Sequence, residues 1–214
     1  VPETRLAGRT PAEQDDVRRH LLAESALRTL GEVGYARTSL AAVADDARLD
    51  RDTVRRLFPD EIALVVYSVR LYKARCVTRY DVVVEESTSP DELLDGFAAT
   101  LVETLCDEAP MHRLWYDLRA QTMFEERLRE PATQVDATLQ DMVWRVVARY
   151  AELSDRPPAL SPRAAYAVLD GVFQQALLAH QAGDGAAAQE VLDVLAVQVH
   201  DLMPMMLAPA RDPG

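Results

Sequence analysis

The sequence predicts an all-α protein in two parts, and three observations carry that expectation. Apolar residues recur at three- and four-residue spacing along most of the chain, the period of a helix with one buried face. Prolines follow capping residues where helices can begin, since a first-turn position has no intrahelical partner for its N–H and tolerates the fixed φ. No run alternates in the manner of a strand. At 214 residues the chain can bury a core without disulfides or metal.

The elements follow in order. Thr10-Pro11-Ala12-Glu13 is a capping box that opens a first helix over about 11–33, with Val17, Leu21, Leu22, Ala26, Leu30 and Val33 inward and Gly34 at its end. Thr38 is the expected N-cap of a second helix over about 39–47, which turns Leu40, Val43, Ala44 and Ala47 inward. Asp50 can cap a third over about 51–57, whose apolar residues are only Val54, Leu57 and Phe58. Pro59 and Asp60 open a long helix to about 84. Pro90, Pro110, Pro131 and Pro162 then mark starts for helices over about 90–107, 110–128, 131–153 and 162–182, and a last one over about 185–206 makes nine.

Charge is unevenly spread. Residues 1–60 hold 10 arginines against 11 carboxylates, whereas 61–214 hold 13 basic against 24 acidic residues in a chain of net charge -12. Only the first part can approach a polyanion without strong repulsion. Within it, Arg48, Arg51, Arg55 and Arg56 crowd into nine positions. Two short helices about three residues apart, the second poor in apolar residues and rich in donors, make a helix-turn-helix pattern whose second helix can hold phosphate oxygens or the O6/N7 edge of guanine. Ser39 and Thr38 suit phosphate binding at a helix start, though Thr38 is equally a plain cap. Tyr35 packs or reaches the DNA edge. Asp52 accepts from cytosine or simply favours the positive end of the helix dipole. Thr53 completes the outward set. The same arginines could instead form a solvated face paired with Asp46, Asp50 and Asp52.

The stretch Leu21 to Leu64 resembles the N-terminal domain of TetR-family transcriptional regulators through Ala26 and Leu30, Gly34-Tyr35, Thr38-Ser39-Leu40, Val43-Ala44, and Thr53 with Phe58-Pro59. That resemblance covers about a fifth of the chain. It implies a helix-turn-helix domain over 1–59 and an effector-binding and dimerisation domain over 60–214, reading operator DNA as a homodimer, usually as a repressor. Four positions depart from the pattern: Arg48 stands where the family has glycine, Asp52 replaces a small residue, Arg55 a tyrosine and Glu61 a lysine. An αL backbone at a non-glycine costs about 1–2 kcal/mol, so Arg48 is expected either at positive φ or in a rearranged turn.

For the acidic part the resemblance implies a pocket and a dimer seam. Candidate pocket residues are Tyr72, Cys76, Leu105, Met111, Trp115, Tyr116, Met123, Phe124, Trp144 and Phe173, which suit an apolar or aromatic effector, although each also suits an ordinary core. Arg75, Arg79, Arg113 and Arg119 could meet an anion, with carboxylate pairing the alternative. Two seams recur at helical spacing: Tyr166, Leu169, Phe173, Ala176 and His180, then Leu192, Leu195, Val199, Leu202 and Met206. They fit a four-helix dimer interface, or they pack within one chain.

Other classes find little support. The sequence carries no Gly-x-Ser-x-Gly, phosphate loop, dinucleotide fingerprint or His-Glu-x-x-His, and His20, His112, His180 and His200 lie far apart, so neither an enzyme, a cofactor nor a metal is expected. Arg48 and Glu61 keep open a dimeric adaptor that has lost DNA binding. Cys76 and Cys106 in helical runs suggest no disulfide framework, and no run approaches the roughly 18 apolar residues of a membrane span. A cytoplasmic protein without a membrane partner is expected, its translation start upstream of Val1.

Overall fold

The computed structural model describes residues 9–34 and 38–209, and among them are eight α-helices and one 3-10 turn. Helix α1 (Pro11–Val33) opens on the expected capping box: Thr10 N–H donates to Glu13 at 2.7 Å and Glu13 N–H donates to the Thr10 hydroxyl at 3.3 Å. Gly34, at φ 79°, ends it with its N–H on the Leu30 carbonyl. Leu22, Ala26 and Leu30 are buried, while the side chain of Val33 and all of Tyr35 lie outside the described residues.

Helix α2 (Leu40–Ala47) is capped by Ser39, whose hydroxyl accepts from Ala42 N–H at 3.2 Å. Thr38 is therefore not the cap. Its hydroxyl donates backward to the Gly34 carbonyl at 3.0 Å, which leaves the next residue to satisfy the free N–H groups. Helix α3 (Arg51–Leu57) has Asp50 as N-cap, accepting from Thr53 N–H at 2.8 Å. Helix α4 (Glu61–Glu86) follows, its first turn tied by Ala63 N–H donating to Asp60 at 2.9 Å.

The border expected between helices over 90–107 and 110–128 is a kink within α5 (Pro90–Gln121), where two helical segments meet. Glu108 leaves helical geometry at φ -126° and ψ 20°, two residues before Pro110. A proline inside a helix loses one hydrogen bond and crowds the carbonyl four residues back, and a bend relieves that without a break. The helix then stops short of 128, giving way to a turn and the 3-10 segment Glu126–Leu128. Helix α6 (Arg129–Leu153) takes Pro131 into its first turn, where a missing N–H costs nothing.

Helix α7 (Pro162–Ala182) is capped by Ser161, and α8 (Gly185–Met205) follows Gly183 and Asp184. These two helices pack on each other within one chain. Tyr166, Leu169, Phe173 and Ala176 of α7, together with Leu192, Leu195 and Val199 of α8 and Met206 just beyond it, are all buried within the chain, with His180 and Leu202 half-buried. The seam read as a dimer interface is thus covered by the chain itself. The opposite faces leave Leu178, Val194, Val197 and Met205 exposed.

The packing divides the described residues into two compact units: those up to Tyr72 with Arg113–Thr133, and Lys73–His112 with those from Gln134 onward. The functional border read at 59/60 is not a packing border, because the first turns of α4 belong with the helix-turn-helix.

Candidate nucleic-acid interface

The reading surface is built from the inside out. Ser25 of α1 is fully buried and donates to Asp46 at 2.6 Å, with the Val43 carbonyl 3.1 Å away. Arg28 reaches the same carboxylate at 2.7 Å. These contacts fix α2 on α1 and hold the Asp46 carboxyl below its ordinary pKa, the Ser25 bond being the larger cause and Arg28 the next. Helix α3 is anchored by Val54, Leu57 and Phe58, each no more than 6% exposed, and Phe58 meets the edge of Tyr67 at 5.5 Å between centroids. With that side buried, Arg51, Asp52, Arg55 and Arg56 face outward and Thr53 is half-buried.

The turn between α2 and α3 has the expected left-handed residue. Arg48 sits at φ 53° and ψ 41°, with its N–H shared between the Ala44 and Asp45 carbonyls. A Cβ strains this conformation by about 1–2 kcal/mol, so Arg48→Gly is expected to raise unfolding free energy by about 1 kcal/mol after glycine's extra chain entropy is subtracted. Urea melts of Arg48→Gly and Arg48→Ala test this. Gains of equal size in both variants, or none in Arg48→Gly, would show that the turn stores no strain.

A groove of about 150 Å³ opens between the amino end of α2 and the outward side of α3, lined by Ser39, Leu40, Ala41, Arg51, Val54, Arg55 and Glu61. Ser39 and the amino end of α2, where Ala42 N–H meets Ser39 and Leu40 N–H meets Glu61, make one wall, and a helix amino end suits a phosphate oxygen. Arginine forks make the other. Of the residues expected at DNA, Ser39, Arg48, Arg51, Asp52, Thr53, Arg55 and Arg56 belong to these two helices or their caps and turn, and Thr38 lies just before the Ser39 cap.

Carboxylates accompany those cations, and most were not expected partners. Arg51 lies 3.2 Å from Asp45, Arg55 4.0 Å from Asp52, and Arg56 binds Asp15 of α1 through both nitrogens at 2.6 and 3.1 Å. The Asp15 carboxyl is held below its usual range first by the hydrogen bond from Arg56, and the Arg56 guanidinium is raised in turn. Asp50 is likewise lowered by Thr53, in keeping with its capping role. Glu61 points toward the amino end of α2, its Oε1 3.5 Å from Leu40 N. Asp15 and Arg56 stand 41 residues apart, so no local spacing announces them.

The candidate pocket residues fall into both units. Tyr72, Trp115, Tyr116, Met123 and Phe124 belong to the first; Cys76, Leu105, Met111, Trp144 and Phe173 belong to the second. Met123 and Phe124 are 69% and 83% exposed, because the helix that would have turned them inward has already ended. They do not line a pocket. The second unit also holds a buried polar group that sequence reading missed. Lys73 and His112 are 3% and 4% exposed, and His112 lies 3.3 Å from the Thr104 hydroxyl and edge-on to Phe173 at 4.8 Å between centroids. Arg79 donates to Thr104 and pairs with Glu108 at the kink. Arg113, in the first unit, donates to the Gly31 carbonyl at 2.6 Å. Arg79 and Arg113, both considered for an anion, are thus engaged by the protein itself. Among the described residues no three His, Cys, Asp or Glu side chains gather as a metal site, and no helix is long and apolar enough to cross a membrane.

No protein-family model matches the chain. It is 26% identical over 202 residues to the HTH-type transcriptional regulator BetI of Burkholderia thailandensis, covering 91% of this chain and 95% of that one. Its fold superposes on a TetR transcription regulator from Haloarcula marismortui with a TM-score of 0.71 at 17% identity, covering 89% and 98% of the two chains. The transcriptional regulator FadR of Bacillus subtilis, solved in complex with stearoyl-CoA, gives 0.65 at 12% identity, covering 90% and 99%.

Proposed function

We propose that this chain, which has the fold of the TetR-family transcriptional regulators, is a one-component, ligand-responsive regulator that binds operator DNA as a dimer and, in that family's usual manner, represses until an effector releases it. The observation that carries the reading is the division of α3: Val54 and Leu57 hold it to the domain while Arg51, Arg55 and Arg56 stay outward. Guanidinium forks on a short helix suit the major groove, and a two-fold assembly doubles the contact.

Dimerisation requires a free apolar face. The outer sides of α7 and α8 supply one, with Leu178, Val194, Val197 and Met205 between 47% and 73% exposed. At Gly171 on α7 an added Cβ would meet nothing within 4 Å, which suits close approach of a second helix. This face replaces the inward seam in the dimer assignment.

The Bacillus regulator holds stearoyl-CoA, and by analogy a small organic effector is assigned to the helical body of this chain. A ligand preferring a state with displaced reading helices must weaken DNA binding by the factor by which DNA weakens its own.

The test is binding to a duplex carrying the region upstream of the chain's own gene, measured across salt concentrations. Wild type is expected to bind, Arg55→Ala to flatten the salt dependence by about one unit for its lost phosphate contact, and Arg56→Ala to flatten it by less, because Asp15 already holds that guanidinium. Binding with slopes unchanged in both variants would reduce the arginines to a solvated face. Failure of any duplex to bind would favour the adaptor reading, which the carboxylates beside the arginines already motivate.

A further inference from the structure

We propose that Asp15 and Glu61 are affinity-setting residues of the reading surface, built-in competitors for the groups that would otherwise receive DNA phosphates. The proposal rests on the DNA-binding reading above and adds to it which residues limit the attraction and how.

The two carboxylates meet two different phosphate-receiving groups. Asp15 engages both terminal nitrogens of Arg56 at 2.6 and 3.1 Å, the fork geometry with which arginine also takes a phosphate. It is itself steadied by Arg18 at 3.2 Å, and only 27% of its side chain is exposed. Glu61 borders the groove that Ser39, Leu40, Arg51 and Arg55 line, with an oxygen 3.5 Å from Leu40 N. That is the place and the charge of a phosphate oxygen at the amino end of α2. Arg51 and Arg55 have longer, more exposed local partners at 3.2 and 4.0 Å, on side chains 66% and 96% exposed.

The charge balance has a physical consequence. Duplex binding independent of sequence draws on release of ions condensed on DNA, one contact per neutralised phosphate. For a phosphate to reach Arg56 or the start of α2, a carboxylate of the protein must first leave. Its departure replaces one charge-assisted bond by another, and its charge then remains close to the phosphate backbone. The attraction common to every sequence is thereby held down, while base edges met by Arg51 and Arg55 continue to specify.

The experiment compares wild type with Asp15→Asn, Glu61→Gln, their double variant and a control, Asp16→Asn. Asp16 pairs with Arg19 at 3.5 Å on the same helix as Asp15, so its variant changes net charge by the same amount without touching Arg56 or α2. Thermal melts check that each variant folds, and Kd is measured on the upstream duplex and on a scrambled duplex of equal length across salt. Each of Asp15→Asn and Glu61→Gln is expected to bind both duplexes about two- to five-fold tighter, the span an exposed ion pair provides. The salt slope should steepen by about one unit per contact released, and the double variant should combine the two effects. Asp16→Asn should stay near wild type.

Two outcomes overturn the proposal. If Asp15→Asn and Glu61→Gln behave as Asp16→Asn does, only net charge counts, and DNA binding by wild type would still stand. If they weaken binding, the carboxylates position the surface rather than compete for it. No binding of any duplex by any of the five proteins would remove the DNA-binding reading and this inference together, whereas binding gained only in the double variant would support both.

Discussion

Val197→Glu and Leu178→Glu are each expected to yield a folded monomer whose affinity for the upstream duplex is lower by at least about 100-fold. Both residues are more than half exposed, at 59% and 54%, so a carboxylate there stays hydrated in the single chain and leaves the fold intact. In a two-fold assembly the same carboxylate would be desolvated and set near its own copy across the axis, a combination that costs several kcal/mol. The loss of DNA affinity follows from linkage: a second reading helix delivered by the partner binds as an intramolecular event, and separating the halves removes a factor of about 10²–10⁴. Light scattering reads the mass, and titration of labelled duplex reads the affinity. Leu195→Glu provides the contrast, because Leu195 is 1% exposed within the chain and its replacement should unfold the helix pair itself. Wild-type dimers in both surface variants would move the interface elsewhere.

The misplaced seam shows what helical spacing can and cannot say. The recurrence of Tyr166, Leu169, Phe173 and Ala176 states that this side of α7 is buried, but periodicity carries no information about which surface covers it. Here the cover comes from the same chain, with His112 of α5 against Phe173 and Asp136 of α6 against Tyr166, and the interface candidate lies on the residues left over. The caps behaved differently. Thr10 with Glu13, Asp50 and Ser161 act through bonds to N–H groups two or three positions away, so the bounds of α1, α3 and the start of α7 were legible locally. Pro110 marked the border between two helical segments, which meet in a kink at Glu108 because a packed helix can absorb the cost of a proline by bending. At Arg48 the sequence left positive φ or a rearranged turn open, and the residue takes the first, at φ 53°. The outward arginines were legible from composition. Their partners were not, since Asp15 reaches Arg56 only after α1 and α3 have packed.

Acidification from about pH 6.5 to 4.5 is expected to cost the fold roughly 2 kcal/mol through His112 alone. Burial pushes this imidazole from its ordinary 6.5 down to about 2, with the Lys73 charge as the next cause and only a partial opposing effect from Thr104. The sign follows from proton counting. Below pH 6.5 the unfolded chain binds a proton at this histidine and the folded chain does not, so the unfolded state gains about 1.4 kcal/mol for each further pH unit. The contribution is therefore intact above about 6.5 and lost progressively below it. Lys73, also lowered by burial, acts with the same sign. The surface carboxylates act in a separate window: Asp15, Asp46, Asp50 and Asp60 are held below their ordinary 3.8, so their stabilisation is lost only under more acidic conditions. Urea melts at several pH values, wild type against His112→Gln, isolate the imidazole, because glutamine keeps a polar group near Thr104 but takes up no proton. The variant should lose less stability than wild type across pH 6.5–4.5, by a slope of about one proton. Parallel curves would mean that His112 charges inside the folded protein, with Glu108, Asp136 or Asp170 moving to receive it, and that the buried group around Lys73 is open enough to admit water.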